Sequence, residues 1–332
     1  MKNYTKIISI ILSALLIVFA FAGCATTPGK SDDAKTVGII QLMAHNSLDN
    51  CTNGIKQALD AAGIAYDVQI GSSTSPVDDC QSYAATMAAS GKYSALIAVA
   101  TPAATAAYSA VQNNSADIPV IFCAVSDPVS AGLAKSLEEP GNKCTGTSDA
   151  FDIPAQVKLI KALQPNAKNL GVIYTTTEAN SISQLKTLKE EAAKVGLNIV
   201  DQGINEVAEL ASAVAALLPK VDAVTNLTDN NVVDNMGTLL EQAAAAKIPV
   251  YGSEIEQVKK GCVASASLDY VALGKTTGDM AVKVLNGTDA STLPVSIVSD
   301  SFLVANTDVL NTLGIELSGE YADIEKVTTV KE

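Results

Sequence analysis

The chain runs twice through one alternation of strand and helix, and that repetition limits its fold more than any other feature. Short β-branched runs, TVGIIQL, AYDVQI, ALIAVA, PVIFCAV, NLGVIYT, LNIVDQG, DAVTNLT, IPVYGSE and GCVASAS, are separated by alanine-rich stretches with helical periodicity. After the first run, Leu48, Cys51, Ile55, Leu59 and Ala62 recur every three or four residues and form one face. Ser47 is the expected N-cap of that helix and Gly63 its expected C′ residue. Alternation of this kind predicts an α/β fold with parallel sheets covered on both faces by helices.

Three landmarks repeat in order about 130 residues apart: Gly38 with Gly171, Ala95 with Ala223 and Ile118 with Ile248. The expectation is two doubly wound parallel-sheet lobes. Crossovers near Ala150, Ser267 and Ser299 would form a three-strand hinge. The N-terminal lobe is then 36–150 plus 268–298, and the C-terminal lobe 151–267 plus 299–332. In such sheets ligands bind beyond the carboxyl ends of the strands. The loops that matter are Ala44–Asp49, Thr101–Thr105, Ser126–Pro128, Thr175–Ser181, Thr228–Asn231 and Gly252–Glu254.

The first residues have a different character. Lys2 and Lys6 precede the apolar run Ile7–Ala22, and FAGC follows, the layout of a secretory signal peptide over 1–23. Cys24 is the expected lipidation site, and 24–35 a polar tether. The run is shorter than the roughly 20 residues a spanning helix needs. A net charge of −13 argues against nucleic acid as a partner. Every basic residue is lysine, so an anionic group must be held by lysine, hydroxyls or backbone N–H groups rather than a guanidinium fork. The scattered cysteines fit no zinc site and no disulfide framework, although one bridge is possible.

His45 is the only histidine, and it stands where the first strand stops. No G-x-S-x-G, H-E-x-x-H, C-x-x-C or nucleotide-binding glycine motif accompanies it, so binding without chemistry is the reading, with no metal and no cofactor. Thr101 and Pro102 open a helix after a strand, and Ser126, Asp127 and Pro128 repeat the design. Each offers a hydroxyl and free amides to an anion. Ser148 and Asp149 precede the first crossover, Asn180 lies in the Thr175–Ser181 loop, and Ser253 lies between Gly252 and Glu254. Thr228, Asp229 and Asn230 form the most polar strand exit, where a carboxylate suits an ammonium group. Each of these also reads as an ordinary helix cap. Among the scarce aromatics, Phe122, Phe151, Tyr174 and Tyr251 lie at strand ends, and one or two of them are expected at the site.

The segments GIIQLMAHNSLDNCTNGIKQAL, AVSDPVSAGL and GTSDAFDIPAQVKLIKALQPNAKNLGVIYTTTEANS, with ATPAATAAYSA, LTDNNVV and LGKTTGDMAVKVLNG, resemble the substrate-binding lipoproteins of ABC importers. The group most similar includes tryptophan- and phenylalanine-binding members. The resemblance implies a type I periplasmic-binding-protein fold, Venus-flytrap closure, and delivery to a permease with a cytoplasmic ATPase. It places the ligand against the His45–Asp49, Thr101-Pro102, Ser126–Pro128 and Thr228–Asn230 loops. It also implies a monomer anchored outside the membrane through Cys24. An amino acid, aromatic for preference, would set its carboxylate at the Thr101 and Ser126 turns and its ammonium at Asp229, with Ser47, Ser148, Tyr174, Asn180 and Ser253 nearby. A nucleoside or purine in the same cleft, or a sensing lobe pair for a membrane receptor, are the other readings.

Overall fold

The computed structural model describes residues 35–298 and 301–330. The expected signal peptide, Cys24 and the crossover at Ser299 lie outside these residues. In chain order the first elements are β1 (Thr36–Gln41), α1 (Asn46–Ala61), β2 (Ala65–Ile70), α2 (Pro76–Ala89), β3 (Ala95–Val99), α3 (Thr101–Asn113), β4 (Val120–Cys123) and β5 (Cys144–Ser148). Next come α4 (Ile153–Leu163), β6 (Asn169–Thr175), α5 (Ala179–Lys194), β7 (Asn198–Ile204), α6 (Leu210–Leu217), β8 (Ala223–Thr225), α7 (Asn230–Asp234), α8 (Met236–Ala246) and β9 (Val250–Tyr251). The last are α9 (Ile255–Lys260), β10 (Ala264–Ser267), α10 (Tyr270–Leu285), β11 (Ser296–Ile297), β12 (Phe302–Asn306), α11 (Thr307–Leu313) and β13 (Glu325–Val327).

The first sheet has the order β11-β5-β4-β3-β1-β2 and the second β7-β6-β8-β9, both parallel throughout. The order β2-β1-β3-β4 thus recurs as β7-β6-β8-β9, and Gly38 and Gly171 occupy the third position of β1 and β6. The repetition seen in the sequence is a repetition of topology. At Gly38 a side chain has no room: a Cβ would stand 2.7 Å from Met87 Sδ. A third, small sheet, β10-β12-β13, is mixed, with β10 and β12 antiparallel.

Hydrophobic burial fixes these registers. Ile39, Ile40, Leu96 and Ile97 are fully buried in the first core, and each such side chain contributes roughly 1.5–3 kcal/mol over its exposed state. A slip of one residue would turn a strand's buried set to the wrong face. This core also takes Leu273, Met280 and Leu285 from α10, so the late helix packs with the N-terminal elements. The second sheet is packed on both faces, by Leu159, Leu170, Val172 and Leu188 on one and Val214, Val224 and Leu239 on the other.

Two local expectations are corrected. His45 rather than Ser47 stands at the N-cap position of α1, without a side-chain capping bond, and Ser47 sits in the first turn; Gly63 follows the C-cap with φ +67° as expected. No helix follows Pro128, because Asp127 closes a turn by accepting from Ser130 N–H at 2.9 Å. Strand β5, CTGTS, lacks the β-branched apolar run of the others. Its buried hydroxyls are satisfied internally, Thr145 by Leu293 O and Thr147 by Thr277. The described cysteines are buried free thiols.

Candidate functional site

Two strands of the first sheet end in strained backbone. Ala100, after β3, has φ 82° and ψ 154°, and Ala124, after β4, has φ 54°. Left-handed backbone at a non-glycine residue stores strain of order 1–3 kcal/mol and marks functional loops. Both alanines line one small cavity. From the first-sheet side the cavity is lined also by His45, Ser47 and Leu48 after β1, Thr101 after β3, Ser126 after β4 and Asp149 after β5. Tyr270, at the start of α10, belongs to the same side. Facing them are Asn180 after β6, Thr228, Asn230 and Val233 after β8, and Glu254 and Gln257 after β9. All of these follow carboxyl ends of strands, as an open α/β architecture requires.

The cavity is polar and underused. Seven buried side-chain atoms among the described residues have no hydrogen-bond partner, and five of them line it: His45 Nδ1 and Nε2, Ser47 Oγ, Thr101 Oγ1 and Asn180 Oδ1. An unsatisfied buried polar atom costs about 1–3 kcal/mol. Such a concentration in one place is expensive without a ligand. Burial lowers the His45 pKa to about 4, so its imidazole is neutral at pH 7. Asn230, beside the ring on the opposite side of the cavity, and then Asp49 oppose that lowering.

Carboxyl groups surround the space. Asp149 accepts from Ser126 Oγ at 2.9 Å and from Tyr270 OH at 3.2 Å, and burial raises its pKa. Glu254 caps α9, accepting from the N–H groups of Glu256 and Gln257 at 2.7 and 2.9 Å; burial raises its pKa to about 7. Just behind, Glu178 Oε2 accepts from Asn180 Nδ2 at 3.0 Å and from Asn230 N–H and Nδ2 at 3.1 and 2.8 Å. Burial, then the charge of Asp229, raises Glu178 to about 8. Because Asn180 Nδ2 also donates to Thr228 O at 2.9 Å, its Oδ1 is the free end of the amide.

Of the residues singled out in the sequence, His45, Ser47, Thr101, Ser126, Asn180, Thr228 and Asn230 meet here. The others do not. Pro102 lines a larger open groove beside the cavity. Asp127 is committed to Ser130 and, at 2.5 Å, to Ser183. Ser148 donates to Ser126 O, and Ser253 to Leu227 O. Tyr174 packs on the second core, where its ring faces Gly203. Asp229, the expected ammonium site, does not line the cavity: its carboxylate is buried and accepts from Thr175 N–H and Oγ1, Ser181 Oγ and Val232 N–H. None of Phe122, Phe151, Tyr174 and Tyr251 lines the cavity; the aromatic that does is Tyr270. Asp149, next to Ser148 before the first crossover, and Glu254, at the end of the Gly252–Glu254 loop, line it as well.

The enclosed volume is about 30 Å³, room for about one water and far below the roughly 300–1,000 Å³ of ligand pockets. Three contacts hold the two sides together: Ser126 Oγ with Thr228 Oγ1 at 3.1 Å, Ser183 Oγ donating to Asp127 at 2.5 Å, and Asn46 Nδ2 donating to Glu256 at 3.4 Å. The neighbouring groove, of about 1120 Å³, is lined from both sides by residues including Ser75, Pro102, Thr105, Thr177 and Asn205.

Residues 36–324 match the model of the family described as ABC transporter substrate binding protein. The chain belongs to this family. The Tyrosine-binding protein of Clostridioides difficile (strain R20291) is 36% identical over 327 residues, 94% of this chain and 93% of that one. An ABC domain from Streptococcus pneumonia in complex with L-Trp is 31% identical and superposes with a TM-score of 0.83, covering 88% of this chain and 99% of that one. The ligand-free, open structure of a substrate-binding protein with adhesive properties from Clostridium difficile is 38% identical, with a TM-score of 0.66 over 89% and 100%. The fold is thus the type I fold of solute-binding proteins, two parallel-sheet halves about a cleft. A member of this family is extracytoplasmic, takes a small-molecule ligand and works with an ABC permease and its ATPase.

Proposed function

We propose that this substrate-binding protein captures an aromatic amino acid, of which tyrosine is the first to test. The observation that carries the reading is the convergence of five unpartnered buried polar atoms on one small cavity containing hydroxyls, a neutral imidazole and buried carboxyls. A zwitterion has a group for each kind. Its carboxylate meets Ser47 and Thr101 at the N-termini of α1 and α3. Its ammonium meets Asn180 Oδ1 and the carboxyls of Asp149 and Glu254. The relative named for tyrosine and the structure holding L-Trp support the same class. The cavity is too small for any such ligand as it stands, so loading requires the two sides to part. The higher TM-score to the L-Trp complex than to the open structure, at lower identity, supports reading the present arrangement as the closed one.

On this reading the lobes are 36–150 plus 268–298 and 151–267 plus 299–332, in keeping with the division of the hydrophobic cores. The protein works as a monomer without catalysis, held at the outer face of the cytoplasmic membrane by lipid on Cys24. Calorimetric titration of protein stripped of ligand by unfolding and refolding tests the ligand. Tyrosine, tryptophan or phenylalanine is expected to bind, and Thr101→Val to weaken that binding about tenfold by removing one hydrogen bond. Heat with nucleosides and none with these amino acids would refute the reading.

A further inference from the structure

Apart from the neutral His45, the ionisable groups at the cavity are acidic or, like Tyr270, uncharged. Asp149 and Glu254 line it and are 3% and 2% exposed. Behind them stand Glu178, which holds Asn180 and Asn230, and the fully buried Asp229. No lysine lines the space, and none of the ion pairs among the described residues includes any of these four carboxyls. Lys260, near enough to act on the charge of His45, ends α9 outside the lining. Buried carboxyls without counter-cations are costly, and a bound cation supplies what the chain withholds.

The unpartnered atoms point the same way. Asn180, 3% exposed, has both hydrogens of its amide engaged by Glu178 and Thr228, so the free Oδ1 can only accept. An ammonium group donates three hydrogen bonds to acceptors of this kind. A ligand carboxylate fares differently. Its partners are the neutral hydroxyls of Ser47 and Thr101 and the nearby helix N-termini, and it must approach two carboxyls to reach them.

Building on the aromatic amino-acid reading, we infer that the cavity selects its ligand by the ammonium group, so that an aromatic amine lacking the carboxylate is a ligand and an aromatic acid lacking the amine is not. Removing the carboxylate costs neutral hydrogen bonds and relieves like-charge repulsion. Removing the ammonium leaves a lone anion among carboxyls.

Three compounds titrated into the ligand-stripped protein at pH 7.5 decide it: tyrosine, tyramine and 3-(4-hydroxyphenyl)propanoate. Tyramine is expected to bind within about 100-fold of tyrosine, two lost hydrogen bonds' worth, and the acid to bind at least that much more weakly than tyramine. Tyramine silent while tyrosine binds, or the acid binding as well as tyramine, would overturn the inference and leave the amino-acid reading standing. Silence from tyramine together with tyrosine, tryptophan and phenylalanine would remove both.

Discussion

Glu254 caps α9 with both carboxyl oxygens while facing a cavity that offers it no cation. Its pKa of about 7 means that the folded protein holds a proton there which the unfolded chain has released. Stability from this group is therefore present below the ordinary carboxyl range and lost as pH rises through 7. Glu178, at about 8, extends the loss upward. His45 works in the opposite sense, since its pKa of about 4 makes the folded state lose stability as pH falls below 6.5. The two trends oppose below 6.5 and leave a clean decline from 6.5 to 8, of about 2 kcal/mol. Melting temperatures of ligand-free protein across that window should fall. Saturating tyrosine, whose ammonium favours the ionised carboxyls, should flatten the slope. A flat ligand-free profile would mean these carboxyls titrate normally. The sequence could not single out Glu254, because a capping glutamate and a ligand-facing one look alike in a loop. The same ambiguity holds at Asp229, where only geometry reveals four internal donors on its oxygens. Thr101 was legible because Pro102 fixes the start of its helix, and with it the exposure of the turn to the cleft.

The elements were legible where burial writes a pattern. Strands β1, β3 and β6 are near-continuous apolar runs because both faces of their sheets are covered. Strand β5 left no such trace. CTGTS is buried through small side chains whose hydroxyls bond to neighbours, and Gly146 passes so close to Phe122 that a Cβ would stand 2.0 Å from its carbonyl oxygen. The junction between β3 and α3 shows strain that no composition could announce. Ala100 is locked by its N–H to Cys123 O and its carbonyl from Ala104 N–H, both 3.0 Å, in a region of φ and ψ that glycine occupies almost alone. Ala100→Gly should relieve the strain by more than the added freedom of the unfolded chain costs, a net gain of about 1 kcal/mol. Thermal denaturation of ligand-free protein measures it, and a lower melting temperature than the parent would show that the backbone there is unstrained.

Across the whole molecule, closure and affinity are one equilibrium. A ligand that touches both sides favours the arrangement in which both are present, and any contact that exists only there adds to its affinity without touching the ligand. Ser183 provides such a contact. It lies on α5, outside the cavity, and its hydroxyl reaches the carboxylate of Asp127 on the opposite side. The hydrogen bond is to a charged group, but both residues are only part-buried, so its net contribution is about 1 kcal/mol. Ser183→Ala removes it at a helical position where alanine is the better helix former. Ligand-free stability should therefore change little, while the equilibrium shifts toward the open arrangement and tyrosine binds about fivefold more weakly. Closed complexes should reopen sooner, so the loss belongs in dissociation rather than association. Stopped-flow binding with small-angle scattering of the ligand-free protein separates the cases: a faster off-rate with a larger radius of gyration supports the latch. An unchanged off-rate in the Ser183→Ala protein would place the energy of closure wholly in the cavity itself, on Ser126, Thr228 and the ligand between them.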